Sequence, residues 1–402
     1  MTASVLAGTR LAPRDAAFAR AIAAASLRRF GQLEALIRHC VPKSPPPHKA
    51  GPTLEILITG ACELLFLGVP AHAAVDGANR LAAADGKAVH FKSLINAVLR
   101  RIAREGEALL AAQDPHLNVP DWLWRRWASH YGEERALAIA EAHLQIPPLD
   151  LTLKQDGPVT PVLGAQVLAP GRLRMTDAGR IEDLAGFAEG FWWVQDFASS
   201  LPVRLFGDVK GMTIIDLCAA PGGKTLQLSA LGAQVTALDI SPERLKLIRE
   251  NLTRTKLDAR TIAADARDWA PETPADGVLL DAPCTASGTI RRHPDLPWLK
   301  TEADLQACIG LQSELLEHAA SMTKPGGLLV YAVCSLEPEE CEEQTARFLS
   351  RFQAFKREPV TPAEIYDPAF LSPEGDLRTL PYYWREKGGL DGFYAARLRR
   401  LF

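Results

Sequence analysis

Thr213-Ile214-Ile215-Asp216-Leu217 runs directly into Cys218-Ala219-Ala220-Pro221-Gly222-Gly223-Lys224-Thr225, and this passage decides the fold. The first part reads as a buried β-strand, Pro-Gly-Gly as a tight turn, and Leu226–Leu231 as the body of a helix. Strand, glycine turn and helix form the opening unit of an open α/β sheet, whose ligands lie beyond the carboxyl ends of the strands.

Three ligands compete for such a turn. A P-loop needs a glycine five residues before Gly223, where Cys218 stands. A dinucleotide turn needs G-x-G-x-x-G, whereas here two adjacent glycines follow a proline. The third reading is S-adenosyl-L-methionine: backbone amides of the turn meet the methionine moiety, and an acid ending the second strand accepts the ribose hydroxyls. Toward the C-terminus strands and helices alternate, through Val235–Asp239, Pro242–Thr255, Ala259–Ala263, Gly277–Asp281, Asp304–Met322 and Gly327–Val333. That order predicts an α/β Rossmann-like domain over 211–402, of the class I S-adenosylmethionine-dependent methyltransferase kind, with a largely parallel sheet. Asp239 ends its second strand, Asp265 follows the third, where it can accept from an adenine amino group, and Asp281 closes the fourth.

Two cysteines also fall at strand ends, in Asp281-Ala282-Pro283-Cys284 and in Cys334-Ser335. Carbon 5 of a pyrimidine is too weak a nucleophile to attack a sulfonium. A thiolate adding to carbon 6 turns it into an enamine carbon that accepts a methyl group. Spacing alone does not say which of the two thiols attacks.

Toward the N-terminus the pattern changes. Residues 146–210 carry short β-like runs broken by Gly and Pro, a linker and small α+β subdomain leading into the catalytic part. Residues 1–145 read as helices throughout, at three- and four-residue apolar spacing, interrupted at Pro42–Pro47, Gly68–Pro70 and Asp114–Pro120. The first 150 residues hold 17 Lys/Arg against 14 Asp/Glu, a balance of +3 that leaves -6 for the remainder.

The chain of 402 residues, 47% hydrophobic and 23% charged, is long enough for two or three packed domains. Its net charge of -3 gives no support to binding nucleic acid by bulk positive charge, which leaves only local patches for such contact. No apolar run approaches a membrane span, and Met1 to Arg14 lacks the apolar core of a secretory signal, so a cytoplasmic protein is expected. Seven cysteines without a C-x-x-C pair argue against a disulfide framework and against a structural zinc site; no metal is expected.

The runs Asp216 to Thr225, Asp281 to Cys284, Arg291-Arg292-His293-Pro294-Asp295 and Cys334-Ser335-Leu336-Glu337-Pro338-Glu339-Glu340 resemble the signature blocks of the RsmB (Sun/Fmu) family of 16S rRNA (cytosine-5)-methyltransferases. Val194-Gln195-Asp196 and Asp391-Gly392-Phe393-Tyr394-Ala395-Ala396 agree as well. The helical part is similar to a NusB-like RNA-binding domain in Arg14-Asp15, His72-Ala73-Ala74-Val75 and Asn96-Ala97-Val98-Leu99-Arg100. The resemblance implies that Cys334 is the nucleophile and that Cys284 helps to release the product. It also implies that Asp281 hydrogen-bonds the target cytosine, and that Cys218, Ala219, Ala220, Pro221, Gly222, Gly223, Lys224, Asp239, Asp265 and Asp281 hold the cofactor. The chain departs from the pattern at Thr285-Ala286-Ser287-Gly288, at Val333, and in reaching Arg14-Asp15 so early that the first helix of the bundle is expected to be missing or reduced.

Cytosine carbon 6 is inaccessible inside a stacked helix, so the target must be single-stranded or rotated out. Arg291, Arg292 and His293 follow the Cys284 loop and are candidates to hold phosphates. Trp122, Trp124, Trp127, Trp192 and Trp193 can stack bases, but core packing is the better reading for them. The expected partner is ribosomal RNA, 16S rRNA or a small-subunit precursor, met by a monomer. The same chemistry on tRNA or 23S rRNA, and a non-catalytic RNA-binding assembly factor, are the alternatives.

Overall fold

The computed structural model describes residues 11–42, 46–154, 164–176 and 178–402, so most of the Met1 to Arg14 stretch and the middle of the Pro42–Pro47 break lie outside the described residues. The chain divides into two compact units: residues up to Leu144 with His293–Leu299, and Gln145–Arg292 with Lys300–Phe402.

The first unit is helical: α1 (Pro13–Arg28), α2 (Phe30–Cys40), α3 (Thr53–Phe66), α4 (Ala71–Ala84), α5 (Lys92–Ala111), α6 (Asp121–Tyr131) and α7 (Glu133–His143). In α5 the buried Ile95, Val98, Leu99, Ile102 and Gly106 recur at helical spacing and form one apolar stripe. That stripe packs with Leu33, Leu36 and Ile37 of α2, Ile56, Leu57 and Ala61 of α3, and Val75 and Ala78 of α4. Arg14 and Asp15 lie in the first turn of α1, a helix of 16 residues. The helix that carries Arg14-Asp15 is thus present at 16 residues, where a missing or reduced one was expected. Within the same unit the Trp298 indole donates to Leu27 O at 3.0 Å and its ring lies 4.8 Å from Phe30.

The second unit opens with β1 (Leu149–Leu153), β2 (Gln166–Ala169), β3 (Arg172–Met175) and β4 (Trp192–Val194), an antiparallel sheet in the order β2-β3-β1-β4. Then come α8 (Phe197–Arg204), β5 (Thr213–Leu217), α9 (Gly223–Ala230), β6 (Gln234–Asp239), α10 (Pro242–Thr255), β7 (Arg260–Ala263), β8 (Ala275–Asp281), α11 (Glu302–Met322), β9 (Thr323–Val333), α12 (Glu342–Arg351), β10 (Phe355–Arg357), β11 (Leu377–Thr379) and β12 (Phe393–Arg400). The main sheet runs β10-β12-β9-β8-β5-β6-β7, with β11 paired to β12. Strands β5 to β9 are mutually parallel, and β12 returns antiparallel beside β9.

Strand alternation divides the core between the two faces. Ile214, Leu279, Val330 and Ala332 point to one face; Ile215, Leu217, Val278, Leu280, Leu329, Tyr331 and Val333 point to the other. From β5 the chain steps outward through β6 and β7, then crosses back to place β8 on the opposite side of β5. The carboxyl ends of β5 and β8 thus flank the switch point where open α/β sheets bind ligands. Helix α9 begins at Gly223, earlier than Leu226, because the second half of the glycine turn is already helical. Helix α11 begins at Glu302, fixed by a capping box between Thr301 and Asp304.

Candidate active site

The turn after β5 is held by its own backbone and by Asp239. Gly222 has φ +103°, a left-handed conformation that favours glycine, and a Cβ there would meet Ile248 at 3.0 Å. The Ala220-Pro221 peptide is cis. Asp239 Oδ2 accepts from Ala220 N at 3.1 Å and Oδ1 from Ser241 N at 3.0 Å, with the Arg244 guanidinium 3.5 Å away. Each oxygen retains a second lone pair for a ligand hydroxyl. Ile240, 67% exposed beside this acid, offers apolar surface to a purine; sequence reasoning passed over it, although a large aliphatic directly after a strand-end acid was the available signal.

Behind the turn, Thr225 Oγ1 donates to Asp216 Oδ2 at 2.5 Å, and burial pushes the Asp216 carboxyl up to about 7. Burial also pushes the Cys218 thiol up to about 12, so this cysteine shapes the turn and is no nucleophile at neutral pH. Asp265, after β7, accepts from Arg267 Nε at 3.0 Å and Nη2 at 2.7 Å, and that bidentate pair pulls it down to about 2. Lys224 Nζ donates to Asp281 Oδ2 at 2.7 Å and lies 4.9 Å from the Phe393 ring centre. Asp281 is thereby held as a partly exposed carboxylate between the turn and the thiols.

Cys284 and Cys334 meet with their sulfurs 3.5 Å apart. The sheet dictates this: β8 and β9 are adjacent and parallel, with Asp281 opposite Ala332, so their ends release both loops side by side. Gly288 N donates to Cys334 O at 3.0 Å, tying one loop to the other. Gly392 N donates to Gly288 O at 2.8 Å, and a Cβ on Gly288 would stand 2.0 Å from Gly392 O, so this crossing demands glycine. The hydrogen bond with the Cys334 sulfur and then burial raise the Cys284 thiol well above the usual thiol range.

The phosphate contacts expected of Arg291 and Arg292 are corrected. Arg291 is 1% exposed and donates to Gly388 O at 2.6 Å and to Asp391 Oδ1 at 3.4 Å. Arg292 bridges Asp391 Oδ2 at 2.7 Å and Asp196 Oδ2 at 2.6 Å. Burial opposes ionisation of Asp196, yet Arg292 and Arg291 hold it below the usual carboxylate range, while burial raises Asp391 to about 6. Three sequence blocks thus close into one internal ion-pair network that joins the first sheet of this unit to the Cys284 loop. His293 falls in the helical unit. Trp127, Trp192 and Trp193 are core residues at 0%, 0% and 2% exposure.

The family model for 16S rRNA methyltransferase RsmB/F matches residues 205–399, and the NusB family model matches residues 2–104. The chain is 37% identical over 394 residues to ribosomal RNA small subunit methyltransferase B of Pasteurella multocida, covering 92% of this chain and 85% of that one. The chain belongs to the RsmB/F family. The corresponding protein of Vibrio cholerae is 37% identical over 365 residues, 85% of this chain and 83% of that one. A solved methyltransferase homologue from Pyrococcus horikoshii superposes with a TM-score of 0.58 at 28% identity, covering 72% of this chain and 98% of that one.

RsmB/F proteins are S-adenosylmethionine-dependent, and the residues present fit that cofactor. The open lone pairs of Asp239, the exposed Ile240 and the glycine turn lie at the switch point, where a nucleoside carrying a charged amino-acid tail needs a carboxylate, an apolar face and backbone donors.

Proposed function

We propose that this protein methylates carbon 5 of a cytosine in 16S rRNA, free or in a small-subunit precursor, through a covalent bond between Cys334 and carbon 6, and that it works as a cytoplasmic monomer. The observation that carries the reading is the Cys284–Cys334 pair, 3.5 Å between sulfurs, beside a glycine turn with strand-end acids. Among the described residues no helix is long and apolar enough to cross a membrane.

When bound, S-adenosylmethionine supplies an electrophilic methyl group. Asp281, oriented by Lys224 at 2.7 Å, accepts a hydrogen bond from the target cytosine. The Cys334 thiolate adds to carbon 6; the carbon 5–carbon 6 π pair moves to carbon 5, which becomes nucleophilic. Once carbon 5 carries the methyl group, a base removes its proton, the electron pair restores the double bond, and the sulfur–carbon 6 bond breaks. Cys284, its sulfur 3.5 Å from that of Cys334 and its thiol raised by their hydrogen bond and by burial, donates a proton to the departing Cys334 sulfur and favours release. Rotating the base into reach costs a few kcal/mol of unstacking.

Bisulfite sequencing of total RNA from cells with and without the protein tests this reading. One protected cytosine in 16S rRNA that depends on the protein is expected; a dependent cytosine in tRNA or 23S rRNA, or none anywhere, would overturn it.

A further inference from the structure

Each thiol is followed at once by a hydroxyl residue, Cys284 by Thr285 and Cys334 by Ser335. Both hydroxyls donate to the same atom, Glu340 Oε2, at 2.5 Å each. Glu340 Oε1 accepts from the Thr285 backbone N–H at 2.9 Å and from Gln312 Nε2 at 3.0 Å. Gln312 also donates to Pro283 O at 2.9 Å, and Ser335 Oγ accepts from Glu337 N at 3.0 Å. Tyr331 OH, on β9, donates to Glu340 O at 2.6 Å.

Glu340 is 0% exposed, and the four donors on its carboxylate are all neutral. A carboxylate removed from water is costly unless its lone pairs are filled, and here they are filled by the two segments that carry the thiols. Short bonds to an ionised acceptor are also the strongest and most directional hydrogen bonds available to a hydroxyl.

We infer that Glu340 is a positioning residue that locks the backbone after Cys284 to the backbone after Cys334 and thereby sets the distance between the sulfurs. Its kinetic consequence rests on the covalent mechanism proposed above; its geometric consequence does not. Covalent chemistry at one sulfur and release assisted by the other both depend on sub-ångström alignment.

The test compares wild type with Glu340→Gln and, should that variant not fold, with Thr285→Val; Thr285→Ser keeps the hydroxyl and serves as the rescue. Without RNA or cofactor, diamide oxidises the two thiols to a Cys284–Cys334 disulfide, losing two S–H bonds as diamide is reduced to its hydrazine. Disulfide formation is expected to slow by about tenfold or more in Glu340→Gln and Thr285→Val, with kcat for methylation falling at least about tenfold, KM for S-adenosylmethionine unchanged and Thr285→Ser near wild type. An unchanged or faster disulfide rate in these variants would overturn the inference, whatever happens to kcat. A slowed rate in a protein whose wild type methylates no RNA would support the clamp and overturn only the functional reading.

Discussion

The two halves of the site use opposite electrostatics. After β7 and at the end of β8 the acids are paired with cations and partly open: Asp265 is held near 2 by Arg267, and Asp281 is paired with Lys224 and 30% exposed. Beyond β8 and β9 the polar groups are neutral donors around one fully buried carboxylate, Glu340. A cofactor that enters and leaves needs lone pairs that water can fill in its absence. Two sulfurs that must hold a fixed spacing need a network that water cannot enter.

The comparison can be broken or sharpened by substitution. Cys334→Ala is expected to lower methylation by at least about three orders of magnitude while S-adenosylmethionine still binds in calorimetry, since the nucleophile lies outside the cofactor half. Arg292→Ala leaves Asp196 and Asp391 buried without their bridging cation and is expected to cost roughly 3 kcal/mol in urea unfolding. The salt dependence of RNA binding should stay unchanged; a shallower slope would restore Arg292 as a phosphate contact. Asp239→Asn disturbs one of two backbone acceptors and the ribose carboxylate, so S-adenosylmethionine affinity should fall by about 1.5–3 kcal/mol, measured by calorimetry.

Stability should also depend on pH. Asp216 titrates near 7 when folded against 3.8 for an ordinary aspartate, so the folded state binds its proton more tightly between those values. Its contribution to stability is full below about pH 4 and is lost as pH rises through about 7. Relative to Asp216→Asn, the wild type should lose unfolding free energy between pH 4 and 7; parallel curves would place the proton elsewhere.

The turn, the alternation of strands and helices, the strand-end acids and both thiols were legible because they depend on local period and spacing. Arg291 and Arg292 were not, because a pair of arginines after an active-site loop reads the same whether it faces phosphate or buried acids. The deciding partners of Arg292, Asp196 and Asp391, are 96 and 99 residues away. Glu340 shows in sequence only as the last residue of the Cys334 block, two after Pro338, and its bond to Thr285 spans 55 residues. Element ends shifted where caps and crossovers, and not the side-chain pattern, set the boundary, as at the helix start after Thr301 and the strand start at Thr323.

The central claim is that Cys334 bonds covalently to cytosine and that Cys284 frees it. Incubating Cys284→Ala with 16S rRNA and S-adenosylmethionine, followed by nuclease and protease digestion and mass spectrometry, tests it directly. The account predicts a methylated cytidine nucleotide attached to the peptide that contains Cys334. No adduct, or an adduct on any other cysteine, would contradict it.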